Sequence, residues 1–221
     1  MSYRAVVFDL WQTLVPWPIE SAQRLYGDLA ERFGAEPERF RELWLRGRAE
    51  RELGPIEPHL RSLADELGFV GDLAPVVTLR REWTRAALVP RPDAVPTLEE
   101  LRRRGFRLGM ISACSQDVPD VWAETPFRQL FDVAVFSCSV DVSKPDPRIY
   151  EHCCAELGVA ARECVFVGDG ANDELPGAER VGMTAVQLRA PGEPLTPEGE
   201  RWTGAYVARL SNVLELVGEP A

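Results

Sequence analysis

Residues 4–14 read RAVVFDLWQTL, and the rest of the chain is organised around this stretch. Ala5, Val6, Val7 and Phe8 form a short apolar run, β-branched in its middle, which predicts a strand buried on both faces. The run stops abruptly at Asp9. A carboxylate at the carboxyl end of a buried parallel strand faces the crevice in which open α/β sheets bind ligands. Taken alone, the stretch fits equally well an Asp that only caps a turn. Three later stretches decide between the two.

From residue 92 onward, helical and strand patterns alternate. Helices are expected over 96–104, 118–130, 147–157, 175–181 and 210–217, with a break or shift at Pro126 in the second. Strands are expected over 106–111, 133–136, 164–167, 184–188 and 205–207. Such alternation with short connections predicts a parallel sheet covered on both faces, an α/β Rossmann-like core. Between the first strand and this alternating region lies a long insert with no convincing strand. Four amphipathic helices are expected in it, over 21–33, 38–53, 58–67 and 73–87, forming a small bundle. The expected division is therefore a core of residues 1–17 and 90–221 and a helical cap of residues 18–89. Its aromatic residues are expected to pack the bundle core. Arg46, Arg48 and Arg51 are expected on a solvated face, the sharper alternative being substrate selection from a lid.

Composition narrows the function classes. The chain has 221 residues, 45% of them hydrophobic, which is ample for a packed core. A formal net charge of −10 argues against nucleic-acid and membrane-surface partners, which require basic patches. It leaves room for a small anionic substrate, because a local cation overrides the global field. No apolar run reaches membrane-spanning length, and no signal-peptide pattern is visible. The five cysteines show no metal-ligand spacing and read as reduced, buried thiols, which fits a cytoplasmic protein, monomeric or homodimeric. Lys144 is the only lysine in an arginine-rich chain, which points to a position that needs a compact ammonium.

The ends of the parallel strands carry the chemistry. Asp9, Ser112, Lys144, Asp169 and Asp173 all follow strands and would converge at one sheet edge. Three carboxylates make an oxygen-only cluster suited to a hard cation, most plausibly Mg²⁺. Ser112 and nearby backbone N–H groups can hold an anionic oxygen, and Lys144 can neutralise it and orient Asp9. Cation, ammonium and hydroxyl around one carboxylate are what phosphoryl transfer to an Asp nucleophile requires.

Four stretches carry a resemblance: VVFDLWQTL, then MISACS with its upstream helix LEELRRRGFRL, then VSKPDPRIY, then VFVGDGANDELPGAERVGMTAV. The chain resembles the haloacid dehalogenase superfamily, in the branch with a helical cap between the first two motifs. The resemblance implies a core with strand order 5-4-1-2-3. It implies Asp9 as covalent nucleophile, with Ser112, Ala113 and Lys144 around the transferred group. It also implies a Mg²⁺ site formed by Asp9, the Trp11 carbonyl, Asp169 and Asp173.

Departures from the family pattern shape the expected activity. Phosphatases of the family carry a second Asp two positions after the nucleophile as general acid and base, and here that position is Trp11, which transfers no proton. Gln12 replaces a Gly and Ala113 an Asn. The 2-haloacid dehalogenases also lack the second Asp, having a Tyr there, but they need no metal and lack the acid that Asp169 supplies. Schiff-base chemistry of the phosphonoacetaldehyde hydrolase type would need a cap lysine, and the chain has none. The leading expectation is a Mg²⁺-dependent phosphatase of small phosphorylated metabolites. A dehalogenase-like hydrolase and a catalytically silent ligand-binding module are the alternatives.

Overall fold

The structure is a computed structural model that describes residues 3–219. The outermost residues of the expected core, 1–2 and 220–221, lie outside the described residues. Its sheet has six parallel strands in the order β3-β2-β1-β4-β5-β6. They are β1 (Ala5–Phe8), β2 (Arg107–Ser112), β3 (Val133–Phe136), β4 (Cys164–Gly168), β5 (Thr184–Leu188) and β6 (Tyr206–Val207). The five-strand order that the resemblance implies is present within it. The difference is that β6 pairs outside β5 through Gln187 and Leu188, so the sheet has one more strand than the expected order names.

The opening strand is central and completely buried, because alternate residues serve opposite layers. Val6 and Phe8 join one apolar cluster, with Leu98 and Leu101 of α6 (Ala94–Arg104), Val118 and Val121 of α7 (Asp117–Trp122), and Val213 and Val217 of α12 (Val213–Val217). Ala5 and Val7 join another, with Ile149, Tyr150 and Cys153 of α9 (Pro147–Leu157) and with Leu175 and Ala178 of α10 (Glu174–Arg180). A fully buried Phe such as Phe8 contributes about 1.5–3 kcal/mol through burial alone, so β1 is firmly fixed. Two short helices, α8 (Ser137–Val140) and α11 (Pro197–Glu200), occupy segments that show no helical period in the sequence.

Five helices stand between β1 and α6: α1 (Ile19–Arg32), α2 (Pro37–Arg46), α3 (Arg48–Glu52), α4 (Ile56–Leu67) and α5 (Ala74–Ala87). They enclose their own apolar cluster, including Leu29, Phe40, Trp44, Leu60 and Val76. The single helix expected over 38–53 is split at Gly47, where the His59 imidazole packs so closely that a Cβ would lie 2.0 Å from its Cε1. Pro58 does not open the next helix but sits in its first turn, where a missing N–H costs nothing. The helix expected over 118–130 ends at Trp122, and Pro126 begins a separate 3₁₀ turn. Among the described residues no helix is long and apolar enough to cross a membrane.

Candidate active site

Strand register explains why distant residues meet. Phe8 pairs with Met110 of β2 and with Val167 of β4, so Asp9 emerges beside the ends of both neighbours. The Asp9 backbone N–H donates to Val167 O at 2.8 Å, which continues the ladder by one residue. Ser112 ends β2 and Asp169 follows β4 on either side of it. The next turn is tight. Gln12 has φ 61°, a left-handed conformation that favours Gly, and its amide stays in place by donating to Asp169 Oδ2 at 3.2 Å. Arg91 holds the same turn from outside, with Nε donating to Thr13 O and Nη2 to Gln12 O, each at 2.7 Å.

Lys144 lies at the centre, its side chain 2% exposed. It donates to Asp9 Oδ1, to Glu174 Oε2 at 2.6 Å and to Ile111 O at 3.2 Å, which uses all three of its N–H bonds. Burial alone would lower its proton affinity, but Asp9 and Glu174 outweigh that and hold the ammonium above its ordinary range. Asp9, Asp169 and Glu174 each bring a carboxylate oxygen within 4.8 Å of the others. Burial, and then the charge of Asp9, push Asp169 up to about 6. Glu174 is likewise raised, by burial first. Three buried carboxylates thus share one buried ammonium.

The third acid of this cluster is Glu174 rather than Asp173. The backbone at Asn172 and Asp173 turns left-handed, with φ 56° and 52°, and carries Asp173 out to solvent. There its side chain is 55% exposed and accepts from Arg201 at 3.3 Å. Glu174 begins α10 one residue later on the face of Ala178, fully inside, and accepts from Gly170 N at 3.0 Å. Gly168 makes room for it, since a Cβ there would lie 2.1 Å from Glu174 Oε1. Helical spacing carries the missed signal. Counting back one turn from the apolar Ala178 gives Glu174, whereas Asp173 falls off that face.

Besides Thr13 Oγ1 in the turn beyond β1, the buried oxygens Asp9 Oδ2 and Ser112 Oγ, both at strand ends, have no hydrogen-bond partner among the described residues. Buried polar atoms are otherwise almost always paired, so both are expected to meet a ligand. The all-oxygen donor set, with three carboxylates against one ammonium, fits a hard divalent cation. Asp9, Ala113, Lys144, Asp169 and Glu174 line a cavity of about 480 Å³. Its far side comes from the helical insert: Tyr26, Trp44, Arg48, Arg51, Arg80 and Trp83. Trp11 reaches toward that side. Its ring stacks on Trp83 at 6.3 Å and meets Trp17 edge-on at 5.2 Å.

The three arginines expected on a solvated face part company. Arg46 is exposed and bonded to Glu66, and Arg48 is exposed and bonded to Glu52. Arg51 is only 6% exposed. Arg80, which sequence periodicity does not single out, is buried and donates to Asp117 Oδ2 at 2.8 Å and Ser115 Oγ at 3.1 Å, fastening α5 to α7. Asp117 is buried too. Burial disfavours its charge, but Arg80 and the Thr84 and Ser115 hydroxyls hold it below the ordinary carboxylate value.

A family model for haloacid dehalogenase-like hydrolases matches residues 3–182. A glyceraldehyde 3-phosphate phosphatase of Methanopyrus kandleri is 32% identical over 203 residues, covering 84% of each chain. Among solved structures, a phosphatase from Thermococcus onnurineus superposes with TM-score 0.73 at 24% identity, covering 98% of this chain and 99% of that one. A 2-haloacid dehalogenase from Pseudomonas syringae does so with TM-score 0.71 at 23% identity, covering 97% and 98%. The two structural likenesses establish a shared fold. Phosphatases and dehalogenases both use it.

Proposed function

The chain belongs to the haloacid dehalogenase-like hydrolases, and on that footing we propose that it is a Mg²⁺-dependent phosphatase of small phosphorylated metabolites, acting through an aspartyl-phosphate at Asp9. One observation carries this reading. Among the described residues the buried cluster of Asp9, Asp169 and Glu174 has a single cation in contact with it, Lys144, and a divalent ion joining it would balance the remaining negative charge.

Asp9, Asp169 and the Trp11 carbonyl would hold the metal, with Glu174 beside them, and Asp173 as the sequence-based candidate stands outside. When bound, Mg²⁺ supplies positive charge that offsets the carboxylates and the incoming phosphate. Lys144 fixes Asp9 through Oδ1, which leaves Oδ2 free to attack phosphorus. As the Asp9–phosphorus bond forms, the bond to the leaving oxygen breaks. Ser112 Oγ, without a partner among the described residues, donates to a phosphoryl oxygen. Attack of water on phosphorus then frees Asp9 and releases inorganic phosphate. Trp11 offers no proton to the leaving oxygen, so acyl and aryl phosphates, whose leaving groups need none, are the preferred substrates. In this reading the helical insert is a cap over the site, and the enzyme works in the cytoplasm.

A panel of aryl and alkyl phosphates assayed with Mg²⁺ and with chelator tests the reading. Phosphate release that needs Mg²⁺ and favours aryl esters supports it. A second reading draws on the aromatic wall of Trp11, Trp17 and Trp83, which would suit attack of Asp9 on carbon in an apolar pocket. Chelator-insensitive halide release from 2-chloropropionate would establish that instead.

A further inference from the structure

Arg51 is a buried cation without an acid. Among the described residues no carboxylate lies within 4.0 Å of its guanidinium, although every other buried arginine has one: Arg80 has Asp117 and Arg91 has Glu193. Burial, then the charge of Arg80, pull its proton affinity down to about 10, so it stays charged at neutral pH. A charge so placed is costly unless something meets it.

Its position is nevertheless tightly held. Nη1 donates to Trp44 O and to His59 Nε2 at 3.1 Å. The guanidinium lies 4.0 Å over the Trp44 ring. His59 in turn donates from Nδ1 to Glu50 at 3.2 Å, which fixes the tautomer that accepts from Arg51. The His59 ring occupies space that only Gly47 leaves open. All of these contacts use one corner of the guanidinium. Nε and Nη2 have no partner among the described residues, yet they are not enclosed, unlike the orphaned Nε of Arg80. That edge carries two parallel N–H bonds, the fork that matches a planar carboxylate. Arg51 lines the same 480 Å³ cavity as Asp9, Lys144 and Asp169.

We infer that Arg51 is the receptor for a second anionic group on the substrate, a carboxylate, so that the preferred substrates are phosphorylated carboxylic acids held at both ends of the cavity. The inference rests on the phosphatase reading for the first end alone. His59 and Glu50 are positioning residues: His59 touches Arg51, Glu50 holds His59, and the forked edge stays free.

Non-hydrolysable phosphonates test it by binding, independently of turnover. In Mg²⁺ buffer, calorimetry compares ω-carboxyalkylphosphonates of stepped chain length with alkylphosphonates and α,ω-alkylenebisphosphonates of equal length. At one length the carboxylate is expected to bind about 10-fold or more tighter than its alkyl counterpart, as a charge-assisted pair provides. Arg51→Met should bring that ratio close to one. Arg51→Lys, which keeps the charge but not the fork, should recover only part of it. The ratio is internal to each variant, so a general loss of folding does not imitate the result. If no length shows a gain, or the gain survives Arg51→Met, the inference is overturned. A larger gain for the bisphosphonate overturns the carboxylate assignment. If no phosphonate binds at all, the phosphatase reading fails and takes this inference with it, a result distinct from equal binding by both series.

Discussion

Lys144 joins Glu174 to Asp9: its ammonium donates to Glu174 Oε2 at 2.6 Å and to the nucleophile candidate's Oδ1, while Asp173 stays outside with Arg201. Asp173 and Glu174 are adjacent acids, and helical spacing back from Ala178 favours Glu174. The left-handed turn at Asn172 and Asp173 separates them.

Glu174→Gln is therefore expected to weaken Mg²⁺ binding about 10–100-fold, the usual effect of losing a carboxylate that supports metal ligands. Asp173→Asn should change it less than about 2-fold, since an exposed ion pair contributes little. Calorimetric titration of both variants decides. Equal losses would place Asp173 back at the metal.

Lys144→Met leaves three buried carboxylates with no cation. Removing one partner of a buried charge pair costs about 3–5 kcal/mol, and the variant should lose stability on that scale in denaturant unfolding. Mg²⁺ should restore more stability to this variant than it adds to the parent, because it enters a site of greater negative charge. Equal stabilisation of the two proteins by Mg²⁺ would argue that the ion binds elsewhere.

Much of this was legible in the sequence, and the failures have physical causes. The apolar runs ending in Asp9, Ser112 and Asp169 defined the strands and their common edge, because complete burial of a parallel strand leaves an uninterrupted apolar signature. The strand expected over 205–207 is β6; only its place outside β5 went beyond the five-strand order. Glu174 was missed because a backbone twist at Asn172 and Asp173 shifts the inward-facing position by one residue, and neither residue type announces it. Arg51 was grouped with Arg46 and Arg48 although it stands seven residues after Trp44, on the face that Phe40 and Trp44 bury; what closes over it is His59 from another helix. The remainder of the cavity wall is tertiary in the same way. Arg80 and Trp83 face Trp44 and Trp11 across helices far apart in sequence.

His59 makes stability pH-dependent. Burial, and then the charge of Arg51, hold its folded pKa below the ordinary 6.5; Arg80 acts in the same sense and Glu50 against it. The unfolded chain therefore takes up the proton first. Stability should be fully present above pH 6.5 and decline as pH falls through that value toward the folded pKa. A His59→Gln variant should lack this component, so that its melting temperature falls less than the parent's between neutral and mildly acidic pH. Parallel curves would contradict the assignment.

The absence of an acid at Trp11 predicts a steep dependence on leaving group. Alkyl phosphates should be hydrolysed about 10²–10⁴-fold more slowly than 4-nitrophenyl phosphate in kcat/KM, the factor a general acid ordinarily supplies. Comparable rates on both would reveal another proton donor in the cavity.

The central claim is that Asp9 accepts a phosphoryl group only when the carboxylate cluster is balanced by metal. Beryllium fluoride, a phosphoryl mimic that bonds to carboxylates, tests it directly when followed by fluorine NMR of the intact protein. An adduct should appear with Mg²⁺, vanish with chelator and be absent in folded Asp9→Asn. An adduct that forms equally well in chelator, or that survives Asp9→Asn, would contradict the account.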